Sequence, residues 1–408
     1  MNPIKYSPQH HWPLHEIRLG QRSDIYFWRA KRGLEEAGLN PTVTLQVFQR
    51  QHATLAGMGE ALDLLRHAAG SYTNADAAQK HLSEIQTLKA DIRNAHLHQD
   101  DTGGAYQKLN TMEQNLHAMW QSGWPDLTIR ALSDGDAVSP WEPVLEIDGP
   151  YTHFAHLETI ILGVLARQTR IATNVRQVVE AAGHKPVLYF PARFDHWAVQ
   201  EGDGAAARLG GAAGVSTPAQ AAWTDGSASG TVPHALIAAM HGRTVDAVKL
   251  FHSQYPHVPL VALVDFDNTA IDTALACAEA LGDTLWGVRV DTSDTLTDSA
   301  LAQHPNADKL KGVAPELVRL LRQKLDAAGH TAVKIVVSGG FTAERIQHFE
   351  SNAVPADVYG VGSALLKGRY DFTADIVKTE GRNCAKTGRA YRQSQRLATI
   401  IDKGKHHV

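Results

Sequence analysis

What most constrains this chain is a rhythm that starts near residue 150 and persists to about residue 370. Short runs rich in Val, Ile, Leu and Tyr (PVLYFPAR, AAGVSTP, SGTVPHA, VPLVALVDF, LWGVRVDT, VKIVVSGG and ADVYGVGSAL) read as strands. Between and after them, TVDAVKLFHSQ, AIDTALACAEALG, PELVRLLRQKLDAAG and TAERIQHFE space their apolar residues three and four apart, as helices do. A nearly continuous apolar strand is covered on both faces, and a helix after each strand obliges its neighbours to pair in parallel. So many units in one stretch suit an α/β architecture, an irregular (β/α) barrel, better than an open sheet.

The first part reads differently. Residues 30–120 are polar and helical in period, as in GEALDLLRHAAG, HLSEIQTLKADIRNAHLH and LNTMEQNLHAMWQSG. Then LTIRALSDGDAVSPWEPVLEIDG breaks short alternating runs with Asp-Gly and Pro, the pattern of a small antiparallel layer ending near Gly149. The expected organisation is an N-terminal α+β domain over 1–149, a barrel over 150–374, and a basic tail over 375–408 that packs on the N-terminal domain and completes it.

A net charge of −4 argues against a nucleic-acid binder. Cys277 and Cys384 are too few for a disulfide scaffold or a cysteine zinc site. The start MNPIKYSPQHHWPL has no leader-like apolar stretch, and no apolar run is long enough to span a membrane, so a cytoplasmic protein without membrane partners is expected. The histidines of HHW and of the terminal KHHV are expected at the surface.

Function in such barrels collects where strands end. The polar groups there are Arg193, Asp195 and His196; Ser216 and Thr217; Thr231 and His234; Asp265 and Asp267; Arg289, Asp291 and Asp294; Ser338-Gly339-Gly340; and Gly360-Val361-Gly362-Ser363. Glycine pairs free backbone amides for an anion, and two of them on successive strands have the form of a phosphate grip. LVDFDNT invites a second reading, because Asp-x-Asp-x-Thr after an apolar strand is how some phosphatases present a nucleophilic aspartate. That chemistry wants the motif on the first strand of an open sheet with an acidic metal pair downstream; here it follows several strands, and SGG and GVGS come after it.

Taken in order, GTVPHALIAA, VRVDTSDT, VVSGGFTAERI, YGVGSALL and EPVLEIDGPYTHFAHLETIIL resemble the nicotinate phosphoribosyltransferase family, particularly its shorter archaeal and bacterial type. The resemblance runs from about Leu127 to Leu366, with one fragment near the N-terminus. It implies transfer of phosphoribose from phosphoribosyl pyrophosphate to nicotinate in NAD biosynthesis, with Mg²⁺, and with ATP as co-substrate phosphorylating an active-site histidine, here His234. Asp265 and Asp291 are implied to hold ribose hydroxyls or the metal, and Arg193 and Arg289 a phosphate or the substrate carboxylate. Phe190 falls where the family stacks the pyridine ring. RSDIYFWRA is similar to the family's Thr-Asp-x-Tyr segment, which makes Tyr26 the second aromatic, supplied by the other subunit of a homodimer. Ser216 stands where nicotinamide-using relatives carry an aspartate; a serine donates to a carboxylate that an aspartate would repel. Phe190-Pro191-Ala192-Arg193-Phe194 departs from the family's Phe-Gly-x-Arg-Arg, with His196 the nearby substitute for the missing cation. The competing readings are a decarboxylating quinolinate phosphoribosyltransferase and a non-catalytic phosphosugar-binding barrel.

Overall fold

The computed structural model describes residues 12–98, 102–224 and 226–400; the histidines of HHW and KHHV fall outside them. Among the described residues, 12–169 with 369–400 form one compact unit and 170–368 another. The chain passes from the first to the second at 169/170, inside one long helix, rather than at 149/150, and returns at 368/369.

The first unit is built on a strand the helical reading of residues 30–120 passed over. Helices α1 (Ile25–Glu36), α2 (Met58–Ala68), α3 (Ala75–Leu97) and α4 (Gly103–Ala118) are present, but β1 (Thr42–Gln49) lies between the first two. It pairs antiparallel with β3 (Pro143–Pro150), which in turn pairs with β2 (Thr128–Ala131). Side chains alternate along a strand. Val43, Leu45 and Val47 therefore share one face and join a core with Leu145, Ile147, Phe154 and Ile161. The other face carries Thr44 and Gln46, both buried. Thr44 donates to Asp148 at 2.6 Å, and Gln46 donates to Glu146 and to the carbonyl of Arg392, each at 2.8 Å. Their polarity hid the strand, because the partners lie about a hundred or more residues away.

The second unit opens with the rest of α5 (Glu158–Ala182). Its parallel sheet is formed by β4 (Val187–Tyr189), β5 (Gly214–Val215), β6 (Leu260–Leu263), β7 (Leu285–Val290), β8 (Lys334–Val337) and β9 (Val358–Val361), in the order β6-β7-β8-β9-β4-β5. All four residues of β6 and of β9 are buried, as two covered faces require. One of the seven expected strands, SGTVPHA, is not a strand. Residues 228–232 instead make single contacts to both sheet edges: Ala228 bridges Val215, Ser229 N–H donates to the Val215 carbonyl at 2.8 Å, and Val232 N–H donates to that of Val261 at 3.1 Å. Gly230 and Pro233 explain the irregularity, since proline has no donor for a ladder and glycine is costly to order. This segment bridges the two edges of the curled sheet.

Helices α6 (Gln200–Gly210), α7 (His234–Ala239), α8 (Thr244–Gln254), α9 (Ala270–Leu281), α10 (Pro315–Ala327) and α11 (Ala343–Ser351) connect these strands. In α10, Pro315 occupies the first turn and Leu317, Val318, Leu321 and Leu325 form the buried stripe. The chain then re-enters the first unit as β10 (Phe372–Thr379), β11 (Arg382–Asn383) and β12 (Ala398–Thr399). β10 pairs along β1 and β12 along β2, giving a six-stranded sheet β11-β10-β1-β3-β2-β12, so the tail completes the N-terminal unit as its composition suggested.

Candidate active site

Three of the strand-end side chains are locked together by one arginine. Arg289, on β7, donates from Nε to Ser338 Oγ at 2.8 Å, from Nη1 to Thr231 Oγ1 at 3.1 Å, and from Nη2 to Asp291 Oδ2 at 2.9 Å. Ser338 Oγ in turn donates a hydrogen bond to Asp291 Oδ1 at 2.7 Å. Both Asp291 oxygens thus accept from charged or polar donors, in an arrangement whose members are mostly withdrawn from solvent. The guanidinium also lies 5.5 Å from the ring centroid of Phe190, at the end of β4. Strand order explains the convergence, because β7 pairs with β8 and β9 with β4, bringing residues 190, 289, 291 and 338 to the carboxyl ends of one sheet.

A second group stands at the end of β6. His234 Nε2 lies 3.5 Å from Asp265 Oδ2; the histidine is 46% exposed and the aspartate 5%. Burial pushes the Asp265 carboxyl above the usual range; His234 opposes that, and the Asp291 carboxylate adds to it. Asp265 Oδ1 is buried without a hydrogen-bond partner. An aspartate facing Nε2 leaves Nδ1 of the imidazole as the nitrogen turned to other chemistry. The loop beneath is pinned by Asp298, which no sequence signal had marked: its oxygens accept from Ala270 N–H and Ala300 N–H, both at 3.0 Å.

The glycines are used as close approaches. Gly339 and Gly340 sit in the left-handed region at φ 87° and 69°, and a Cβ on Gly339 would stand 3.3 Å from Asp291 Oδ1. A Cβ on Gly360 would meet the Phe190 ring at 2.9 Å, and one on Gly362 the Phe194 ring at 3.0 Å. Phe194, which replaces the expected cation, packs on the second glycine loop instead, with Arg193 5.3 Å from its ring centroid.

Other expected site residues are not joined to this network. Ser216 donates to Gln220 Oε1 at 3.1 Å, and Thr217 caps the short helix Pro218–Ala221 in a box with the same glutamine. Arg193, His196 and Ser363 are exposed, and His196 Nδ1 accepts from Ala198 N–H at 3.1 Å. Tyr26 belongs to the first unit, on α1, and is 61% exposed. Among the described residues no three His, Cys, Asp or Glu side chains gather as a metal cage, and no helix is long and apolar enough to cross a membrane.

An antiparallel unit and a curled parallel sheet, the latter with arginine, aspartate and paired glycines at its strand ends, are the parts of the fold found in solved nicotinate phosphoribosyltransferase and pyrophosphorylase structures. The sequence model of the quinolinate phosphoribosyl transferase N-terminal domain matches residues 123–169. The crystal structure of human nicotinic acid phosphoribosyltransferase superposes with a TM-score of 0.61 over 89% of this chain and 75% of that one, at 18% identity, a likeness of fold. The crystal structure of nicotinate-nucleotide pyrophosphorylase from Pyrococcus furiosus gives a TM-score of 0.71 and 27% identity over 98% of this chain and 87% of that one. In sequence, the nicotinate phosphoribosyltransferase pncB1 of Mycobacterium tuberculosis is 28% identical over 254 residues, 61% of this chain and 52% of that protein. The chain spans about half the length of the curated relatives it matches. Over about three fifths of its length it is similar in sequence to proteins named nicotinate phosphoribosyltransferase.

Proposed function

We propose that this chain is a nicotinate phosphoribosyltransferase, joining nicotinate to the phosphoribose of phosphoribosyl pyrophosphate and releasing pyrophosphate, as a cytoplasmic enzyme of NAD salvage. The observation that carries the reading is the Arg289–Asp291–Ser338–Thr231 network set against the glycines at 339 and 340. In the reaction the pyridine nitrogen attacks the anomeric carbon as the bond to pyrophosphate breaks. Positive charge grows on the ribose ring, and the carboxylates of Asp265 and of the half-buried Asp291 are the groups that stabilise it. Phe190 offers a ring face for the pyridine, and Arg289 beside it offers a cation for the nicotinate carboxylate. The amides of the left-handed glycines at 339–340 and of Gly362, just past the end of β9, suit phosphate oxygens.

Mg²⁺ keeps much of its octahedron for water and phosphate oxygens and takes one or two protein carboxylates. The unpartnered Asp265 Oδ1 fits that demand, with Asp291 already holding donors on both oxygens; an ion held by Asp265 would supply positive charge to offset the negative charge of the departing pyrophosphate. His234 is the acceptor of a phosphoryl group from ATP, its Nε2 steadied by Asp265. A second copy of the chain supplies Tyr26, whose exposure on α1 is what a shared site needs.

The test is an assay of purified protein with phosphoribosyl pyrophosphate, Mg²⁺ and nicotinate, nicotinamide or quinolinate in parallel, each with and without ATP. Nicotinate consumption stimulated by ATP is expected. His234→Ala should abolish the stimulation together with the acid-labile phosphate on the protein. Consumption of quinolinate alone, with release of carbon dioxide, would assign the chain to the decarboxylating reaction; binding of phosphoribosyl pyrophosphate with no turnover would leave only a phosphosugar-binding barrel.

A further inference from the structure

Arg345 lies in the first turn of α11, immediately after the glycine pair, and none of the roles above uses it. Its Nη1 donates to the Gly339 carbonyl at 2.7 Å and its Nη2 to the Val313 carbonyl at 2.9 Å. The guanidinium stacks 4.4 Å from the Phe341 ring centroid and lies 5.9 Å from that of Phe349, both rings fully buried. The planar fork is thus held from one side by aromatic packing, and two of its nitrogens are committed to backbone carbonyls.

The consequence concerns a single peptide plane. In a trans peptide the carbonyl of one residue and the N–H of the next point in opposite directions. Tying the Gly339 carbonyl to Arg345 therefore turns the Gly340 N–H away from α11. Glycines on both sides of that plane, at φ 87° and 69°, impose no side-chain barrier to its rotation. A loop this permissive needs an external hold if its amide is to wait in one direction. Asp291 Oδ1 stands 3.3 Å from where a Cβ of Gly339 would be, so the peptide borders the network.

We infer that Arg345 is a positioning residue: it fixes the Gly339–Gly340 peptide so that the Gly340 amide is presented to a phosphate group of the sugar substrate, without touching that substrate itself. This inference rests on the proposed function for the identity of the phosphate carrier.

The experiment compares wild type, Arg345→Met, Arg345→Lys and Arg345→Ala as full-length chains. It measures binding of phosphoribosyl pyrophosphate and of inorganic pyrophosphate by calorimetry, the KM values for both substrates, and the melting temperature. Arg345→Met should weaken phosphoribosyl pyrophosphate about ten- to a hundredfold, the scale of one or two hydrogen bonds to a charged group, with the KM for nicotinate within about twofold of wild type. Arg345→Lys should fall between, because an ammonium lacks the fork that spans two carbonyls. Added guanidinium should restore the Ala variant but not the Met variant, which fills the slot. Variants that bind phosphoribosyl pyrophosphate like wild type overturn the inference. So does a loss shared equally by both substrates and tracking the melting temperature, which marks a merely structural role. If Arg345→Met does not fold, the Lys variant and the rescued Ala variant decide by the same ratios. Failure of the proposed function looks different: wild type binds phosphoribosyl pyrophosphate yet consumes no nicotinate, and the binding ratios still judge Arg345. Wild type that binds neither phosphate compound overturns both.

Discussion

Glu158→Gln tests the energetics of the first unit through a single proton. Glu158 opens α5 and lines a small apolar cavity together with Leu45, Val47, Ile147, Phe154 and Ile161. Burial, reinforced by the carboxylates of Asp375 and Asp24, raises its pKa from 4.5 to about 7. The sign follows from proton counting: between those values the folded state holds a proton that the unfolded state has released, so stability falls as pH rises through the window. The penalty is complete above about pH 8 and absent below about pH 4. At about 1.4 kcal/mol per tenfold change in acidity the ceiling is about 3 kcal/mol, and partial access of water reduces it to about 2 kcal/mol. Glutamine keeps the shape and removes the charge. For a unit of this size, Glu158→Gln should raise the melting temperature by about 4–8 °C at pH 8, with the gap to wild type closing toward pH 4.5. Scanning calorimetry or circular dichroism across pH 4.5–8 measures it. An offset equal at both ends of the range, or none at pH 8, would refute the argument that an ionised Glu158 is held out of water.

Other substitutions probe the second unit. Gly360→Ala places a methyl 2.9 Å from two Phe190 ring carbons and 3.2 Å from Ser338 Cβ; it should cost about 1–3 kcal/mol in urea unfolding and raise the KM for nicotinate more than that for phosphoribosyl pyrophosphate. Asp298→Ala removes a fully buried acceptor and strands the buried Ala270 amide, while the exposed Ala300 amide turns to water; a loss of about 1–3 kcal/mol is expected, with Asp298→Asn milder, and an unchanged urea midpoint would remove the pinning role. Arg289→Lys keeps a charge but not three divergent donors; kcat/KM for nicotinate should fall by about tenfold or more, and unaltered kinetics would contradict the role given to the network.

How much was legible in the sequence depends on how far apart the interacting residues are. The parallel strands and their helices could be read locally, because a strand buried on both faces and an amphipathic helix each declare themselves within a dozen residues. Strand-end chemistry was legible for the same reason: Asp265, Asp291, the serine and glycines at 338–340 and Gly360 directly follow or end apolar runs, and the fold then has no choice about which end of the sheet they occupy. Ser216 and Thr217 were found at a strand end too, yet their hydroxyls serve a turn whose glutamine is three and four residues on. A capping box written as Thr-Pro-Ala-Gln was available as a signal for that local use.

By itself, then, the chain determined the alternation of elements, the buried faces, and the sites where backbone amides and carboxylates accumulate, since each depends on neighbours in sequence. Tertiary structure alone decided that Thr42–Gln49 is a central strand, with Gln46 answered by Arg392, and that residues 228–232 bridge the sheet edges by isolated contacts. It also decided that Arg289 joins Thr231 to Ser338, side chains 107 positions apart (338 − 231). The physical reason is common to all three: a buried polar group must find its hydrogen-bond partner wherever the fold delivers one, and local periodicity carries no record of a partner that arrives from a distant part of the chain.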